Sequence, residues 1–229
     1  MQKVVIFGNG VFAEHIYYLL THDAQHDVAG FTVDAAYIRA DTLFGLPVVP
    51  FENVESRFSP AEHRMSVAVS FQRINRLREE KYRQAKAKGY ELINYVSSRA
   101  SVFQDPLCGD NSYILENAVI GPYVRIGSNV VVASGAIIGH HVELKDHSFI
   151  SPGAVVLGGS TVEEFCLIGA NATIKEETVV ARECLVGSGV SITRNTTERG
   201  VYLSPPPQLY PKRSDELQTW LMWPVRSRH

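Results

Sequence analysis

The stretch Glu116–Thr193 decides the fold. It reads in sixes: ENAVIG (Glu116–Gly121), PYVRIG, SNVVVA, SGAIIG, HHVELK (His140–Lys145), DHSFIS, PGAVVL, GGSTVE (Gly158–Glu163), EFCLIG, ANATIK, EETVVA (Glu176–Ala181), RECLVG and SGVSIT (Ser188–Thr193). The fifth residue of each six is aliphatic in all thirteen, from Ile120 to Ile192, with no gap or insertion, and a further six fits before them with Ile114 in that place. The third residue is always small or β-branched, as in Ala118, Ser148, Cys166 and Thr178. A period of six is neither helical nor a simple strand alternation. It describes a chain that turns a corner every six residues and points one large and one small side chain inward from each flat side, the hexapeptide pattern of a parallel β-helix. Three such sides make a coil of eighteen residues, so the stretch winds between four and five coils. A sandwich of short strands would place its turn signals at irregular spacing instead.

Upstream, the chain reads as α/β. Lys3–Phe7 is a short apolar run, followed by Gly8-Asn9-Gly10 and a helical pattern over Val11–Leu20. Strand, glycine turn and helix start place backbone N–H groups where a phosphate can meet them. GNGVFA has Ala13 where the dinucleotide fingerprint has its third glycine, and a tight turn alone also calls for glycine. Val28–Val33 reads as a second strand ending at Asp34, the place where an acid binds ribose or sugar hydroxyls or simply starts a loop. Phe44–Val54 and Met65–Ser70 read as further strands. Arg73–Lys88 reads as a helix stopped by Gly89, and Tyr90–Val96 as the strand closing the small sheet. Three units follow: 1–98, 99–200 and an extension over 201–229, in which Leu217, Trp220, Leu221 and Trp223 share a helical face.

Bulk properties narrow the function. A net charge of -2 gives no electrostatic reason for nucleic acid or an anionic membrane as partner. No run of eighteen apolar residues occurs, and MQKVVIFGNG lacks a signal-peptide layout. Cys108, Cys166 and Cys184 have no metal-ligand spacing, and the last two fall on the inward third position. A reduced, cytoplasmic protein is the expectation.

His140, His141 and His147 crowd into eight residues of the repeat. His140 and His141 take positions one and two of a six, at a corner outside the aliphatic stack. One coil of eighteen further on lie Gly158 and Gly159. Histidine is the usual general base near neutral pH, and glycines stacked beside it open the backbone to a substrate. Solvated corner residues would look the same in sequence.

VVIFGNGVFAEHI, the acid Asp34, NRLREEKYRQAKAKGYELINYVSS and the sixes together resemble the bacterial sugar-nucleotide acyltransferases of the sialic-acid O-acetyltransferase (NeuD/PglD-like) type, over roughly residues 1–203. The resemblance implies an N-terminal Rossmann-like domain holding a nucleotide-diphospho-sugar near Asn9, Gly10, Val11 and Asp34. It also implies a left-handed β-helix, acetyl-CoA as co-substrate with no metal, and a homotrimer with sites between subunits. The base falls on His140, and His141 stands where the family has an acidic partner. Asp146, Glu143 or a residue of a neighbouring subunit would have to replace that acid. A coenzyme A-contacting histidine of the family falls on Phe149, with His147 close by. Gly158, Ala170, Gly187 and Ser188 would line the coenzyme A groove. The implied activity is N-acetylation of an amino-sugar nucleotide in bacterial surface-glycan (lipopolysaccharide O-antigen) biosynthesis. The alternatives are O-acetylation of a sugar hydroxyl, or a zinc-binding or non-catalytic β-helix of the γ-carbonic-anhydrase type, which needs three histidines to meet around the metal.

Overall fold

A computed structural model describes residues 3–103, 107–206, 208–211 and 213. The repeat folds into a three-sided column. Its sides are parallel sheets of six, five and seven two-residue strands, each strand paired with the one a coil away. Val119 pairs with Ile137, Ile137 with Val155 and Val155 with Thr173, a register of eighteen at every step. The inward residues form one continuous core, with Ile120, Ile138, Ile150, Ile168 and Val186 fully buried. Burying such a side chain is worth about 1.5–3 kcal/mol. The smaller third residues, Ala118, Ala136, Cys166 and Cys184, are buried between them. Ser148 and Ser160, also inward, donate to the carbonyls of Glu163 and Lys175, which satisfies both hydroxyls.

The column is longer than the aliphatic repeat alone. Tyr95–Val96, Ser101–Val102 and Leu107–Cys108 form rungs at the start, and Val201–Tyr202 adds one at the end. That last rung pairs Leu185 with Val201, two residues short of a full coil. The expectation that Tyr90–Val96 closes the small sheet is corrected here. Only Leu92 bridges to Met65, while Tyr95–Val96 pairs with Tyr113–Ile114 of the column. Position two of each six sits in the left-handed region. Asn111, Asn117, Asn129 and Asn171 occupy it, as do Gly135, Gly153, Gly159 and Gly189, and so do His141 (φ 58°) and His147 (φ 63°). Asn and Gly tolerate that conformation best, so the corners dictate their spacing.

The N-terminal unit is a five-stranded sheet flanked by helices. Its strands are β1 (Lys3–Phe7), β2 (Val28–Val33), β3 (Thr42–Leu43), β4 (Leu46–Pro50) and β5 (His63–Val67), in spatial order β3-β4-β2-β1-β5. All pairs are parallel except β3 with β4. Helix α1 (Val11–His22) buries Ala13, Ile16, Leu19 and Leu20. Helix α2 (Arg76–Ala87) starts three residues later than its apolar pattern predicts, because Arg73, Ile74 and Asn75 all adopt positive φ. Outward residues of the seven-stranded side, Tyr113, Val131 and Phe149, share a core with β1, β2 and α1, so the two units are fused by apolar packing. No helix among the described residues is long and apolar enough to cross a membrane. The helical face expected over Leu217–Trp223 lies outside the described residues.

Candidate active site

A first cavity, of about 760 Å³, opens at the C-terminal ends of β1, β2 and β5, where the chain reverses its direction of travel across the sheet. Open α/β sheets bind ligands at such switch points. Gly8 (φ +129°) is required there, since a Cβ would sit 2.9 Å from the Ala68 carbonyl and 3.0 Å from Ala13 Cβ. Gly10 caps α1 without a side-chain hydrogen bond and has open space where a Cβ would be. The first-turn N–H groups of α1 therefore face the cavity with the positive end of the helix dipole. Asn9, Gly10, Val11 and Asp34 all line this cavity, beside Tyr37, Arg39 and Lys81. The sequence reading missed Lys81. It comes from α2, is buried, and bonds Asp34 Oδ1 at 2.7 Å and Gln84 Oε1 at 3.0 Å. A salt bridge thus closes one wall.

A second cavity, of about 610 Å³, lies on a corner of the column and is lined by His140, His141, Leu157, Gly158, Gly159, Glu176 and Glu177. The coil register brings these residues together, each pair being eighteen residues from the next. The imidazole of His140 lies against Gly158: a Cβ there would be 2.5 Å from Cε1, 2.7 Å from Nε2 and 3.0 Å from Nδ1. His140 and His141 approach Nδ1 to Nδ1 at 3.2 Å, with rings at 84°. One of the two nitrogens carries the proton. With the proton on His140, its Nε2 is left with the lone pair a general base needs. The His141 ring packs on Tyr123, one coil back, at 4.7 Å.

The acids expected to assist His140 are engaged elsewhere. Glu143 pairs with Lys145 at 2.5 Å and Arg125 at 3.5 Å, and the lysine holds its carboxyl below the usual range. Asp146 accepts from the Ser128 N–H at 2.8 Å on the next corner. The carboxylates that do share the cavity are Glu176 and Glu177. Adding eighteen to Gly158 and Gly159 finds them.

The residues expected to contact coenzyme A, His147 and Phe149, are both buried within this chain. Both are 6% exposed beneath the N-terminal unit. His147 Nδ1 meets Asn129 at 3.0 Å, in a ladder that runs through Asn111 to the backbone of Val67. Its ring packs on Tyr82 and Phe165, and burial pushes its pKa down to about 4. Phe149 touches Phe12 and Phe71. Fully buried Arg78 of α2 donates to the carbonyls of Asn129, His147 and Ser148, pinning the helix to this corner. Ala170 and Ser188 lie on the third corner, one coil apart, and Gly187 is covered by Tyr202 and Leu203. Of the groove residues expected from sequence, Gly158 alone lies beside His140. His140, His141 and His147 do not meet within one chain, and no three His, Cys, Asp or Glu among the described residues gather as a metal site.

The chain resembles known proteins as follows. The family described as GMPPB C-terminal domain matches residues 108–212, less than half of the chain. No curated protein matches in sequence. Among solved structures, a mutant of perosamine N-acetyltransferase from Caulobacter crescentus, in complex with CoA and GDP-perosamine, superposes with a TM-score of 0.79 at 23% identity, over 88% of this chain and 93% of that one. The acetyltransferase domain of PglB from Neisseria gonorrhoeae, in complex with acetyl coenzyme A, gives 0.75 at 23% identity over 85% and 92%. WeeI from Acinetobacter baumannii gives 0.74 at 18% identity over 88% and 94%. At these identities the likeness shows the fold, and it extends over both units of the chain.

Proposed function

We propose that the chain is an acetyl-CoA-dependent N-acetyltransferase acting on a nucleotide-linked amino sugar in the cytoplasm, in the making of bacterial surface glycans such as the O-antigen. The observation that carries this reading is the His140 imidazole seated on the bare backbone of Gly158, in a corner cavity open to solvent. The N-terminal unit, expected as 1–98 and ending in the fold before the rung at Tyr95, serves as a Rossmann-like domain whose Asn9, Gly10, Val11 and Asp34 hold the nucleotide sugar. The expected column of residues 99–200, which in the fold also takes in the rungs Tyr95–Val96 and Val201–Tyr202, serves acyl transfer and is left-handed by its family resemblance, with the rest of 201–229 as an extension. The fold neighbours support the reading, since one was solved with CoA and GDP-perosamine and another with acetyl coenzyme A.

In the proposed reaction the neutral amine attacks the thioester carbonyl directly, and the C–N bond forms as the C–S bond breaks. His140 takes the proton the nitrogen loses, and the departing CoA thiolate is protonated to the thiol. His141 holds His140 in the useful tautomer through the Nδ1 contact, a weaker role than a carboxylate would play.

The assembly is proposed to be a homotrimer. His140 sits on one edge of the six-stranded side, while Ala170 and Ser188 sit on the opposite edge of that side. A groove using both edges needs a neighbouring copy. That side also exposes Ile137, 43% accessible. The test is a panel of UDP-, dTDP- and GDP-linked amino sugars incubated with acetyl-CoA, followed by thiol release and by mass of the acetylated product. No turnover of any member overturns the proposal.

A further inference from the structure

The corner cavity holds two acids that the reaction as written leaves unused. Glu176 and Glu177 lie one coil beyond Gly158 and Gly159, as His140 and His141 lie one coil before. A Cβ on Gly159 (φ +70°) would meet Glu177 Cγ at 3.4 Å, and one on Gly158 would meet the His140 ring. The carboxylate-bearing side chain and the imidazole therefore lean from opposite coils onto the same glycine pair. Several other acids of the column are paired with cations, Glu143 with Arg125 and Lys145, Glu164 with Arg182 and Glu183 with Arg76 and Arg199, whereas Asp146 has only the Ser128 N–H among the described residues. No salt bridge reaches Glu176 or Glu177 among the described residues, so the corner keeps uncompensated negative charge beside the base.

We propose that Glu177, with Glu176 beside it, binds the ammonium form of the acceptor and makes the site selective for amino sugars over hydroxyl acceptors. The inference rests on the acetyl-transfer reading above and adds a substrate-binding residue to it. A primary amine on a sugar arrives mainly protonated near neutral pH. A carboxylate forms an ion pair with it, whereas a neutral hydroxyl brings no positive charge of its own. Held at Glu177, the nitrogen lies over the glycine pair next to His140. Once the ammonium has lost its first proton to solvent, the free amine is already beside the base that takes the second.

The test uses the full-length enzyme and the amino-sugar nucleotide turned over fastest in the panel. Calorimetry compares the affinity of wild type and Glu177→Gln for that substrate and for its neutral N-acetyl product. The expected result is a loss of ~10-fold or more for the amine, the loss of one charge-assisted hydrogen bond, with product affinity unchanged and with recovery in Glu177→Asp. A merely structural role would weaken both ligands together. Equal effects on the two ligands, or an amine effect below about fivefold, overturn the inference. A second arm needs no variant: wild type should bind the hydroxyl analogue of the substrate at least ~10-fold more weakly than the amine, and equal binding overturns the inference. Turnover of a panel member with indifferent Glu177 sinks only this inference, whereas no turnover at all sinks the reading beneath it.

Discussion

Gly158→Ala isolates the contact on which the active-site reading stands. Gly158 does not have positive φ, so alanine meets no backbone strain there. Its methyl group would arrive 2.5 Å from His140 Cε1 and 2.7 Å from Nε2. Carbon contacts settle at roughly 3.5–4.0 Å, so the imidazole must retreat by about 1 Å. A misplacement of that size costs a catalytic group on the order of 10²-fold in rate. The ring lies at an exposed corner and can swing away, so the fold should be nearly indifferent, with stability changing by less than about 0.5 kcal/mol. The neighbouring Gly159→Ala is the counter-experiment. Its φ of +70° strains any side chain, so it should cost about 1–2 kcal/mol of stability. The assay is initial-rate thiol release at saturating substrates, alongside thermal denaturation of both variants. A Gly158→Ala enzyme that keeps more than about a third of wild-type kcat would refute the reasoning, because the ring would then have no fixed seat to lose.

Three further outcomes are expected. Lys81→Met leaves Asp34 without its partner in the first cavity; nucleotide-sugar affinity should fall by ~10-fold or more with acetyl-CoA affinity unchanged, read by calorimetry. His147, whose pKa lies at about 4 against an ordinary 6.5, is neutral in the fold while the unfolded chain takes up a proton. Its contribution is therefore fully present above pH 6.5 and drains away as pH falls toward 4, about 2 kcal/mol between pH 7 and pH 5. His147→Gln should flatten that part of the pH–stability curve, read by denaturant midpoints at the two pH values. Stoichiometric zinc in the purified protein, measured by elemental analysis, would favour the γ-carbonic-anhydrase alternative, and its absence in an active enzyme is expected.

The column was legible because each of its rules is local and repeats. The aliphatic fifth residue, the small third residue and the left-handed second residue are all set by one corner geometry, and register eighteen followed from three sides of six. That arithmetic places Gly158 and Gly159 beside His140 and His141 from the sequence alone, and the fold has them there. Carried one coil further it reaches Glu176 and Glu177, but a search for an acidic partner among sequence neighbours stops at Glu143 and Asp146, which the fold commits to Lys145 and to the Ser128 N–H. What was not legible depends on where distant pieces land. His147 holds the same place in its six as His141, yet α2 packs over its corner, as the docking of Arg78 on three carbonyls reveals. The late start of α2 has little sequence signal either, since Asn75 suits positive φ but Arg73 and Ile74 do not. Lys81 was hidden for the same reason: it reads as one charge on a solvated helix face and ends up buried, paired with the half-buried Asp34.

The most direct measurement is the turnover number of His140→Asn with the preferred amino-sugar nucleotide and acetyl-CoA, taken together with the affinities of both ligands. The account predicts a fall of at least ~10²-fold in kcat with binding preserved, the loss of a positioned general base. A variant that turns over within about threefold of wild type would contradict it, and the corner imidazole would then be a bystander to whatever the column does.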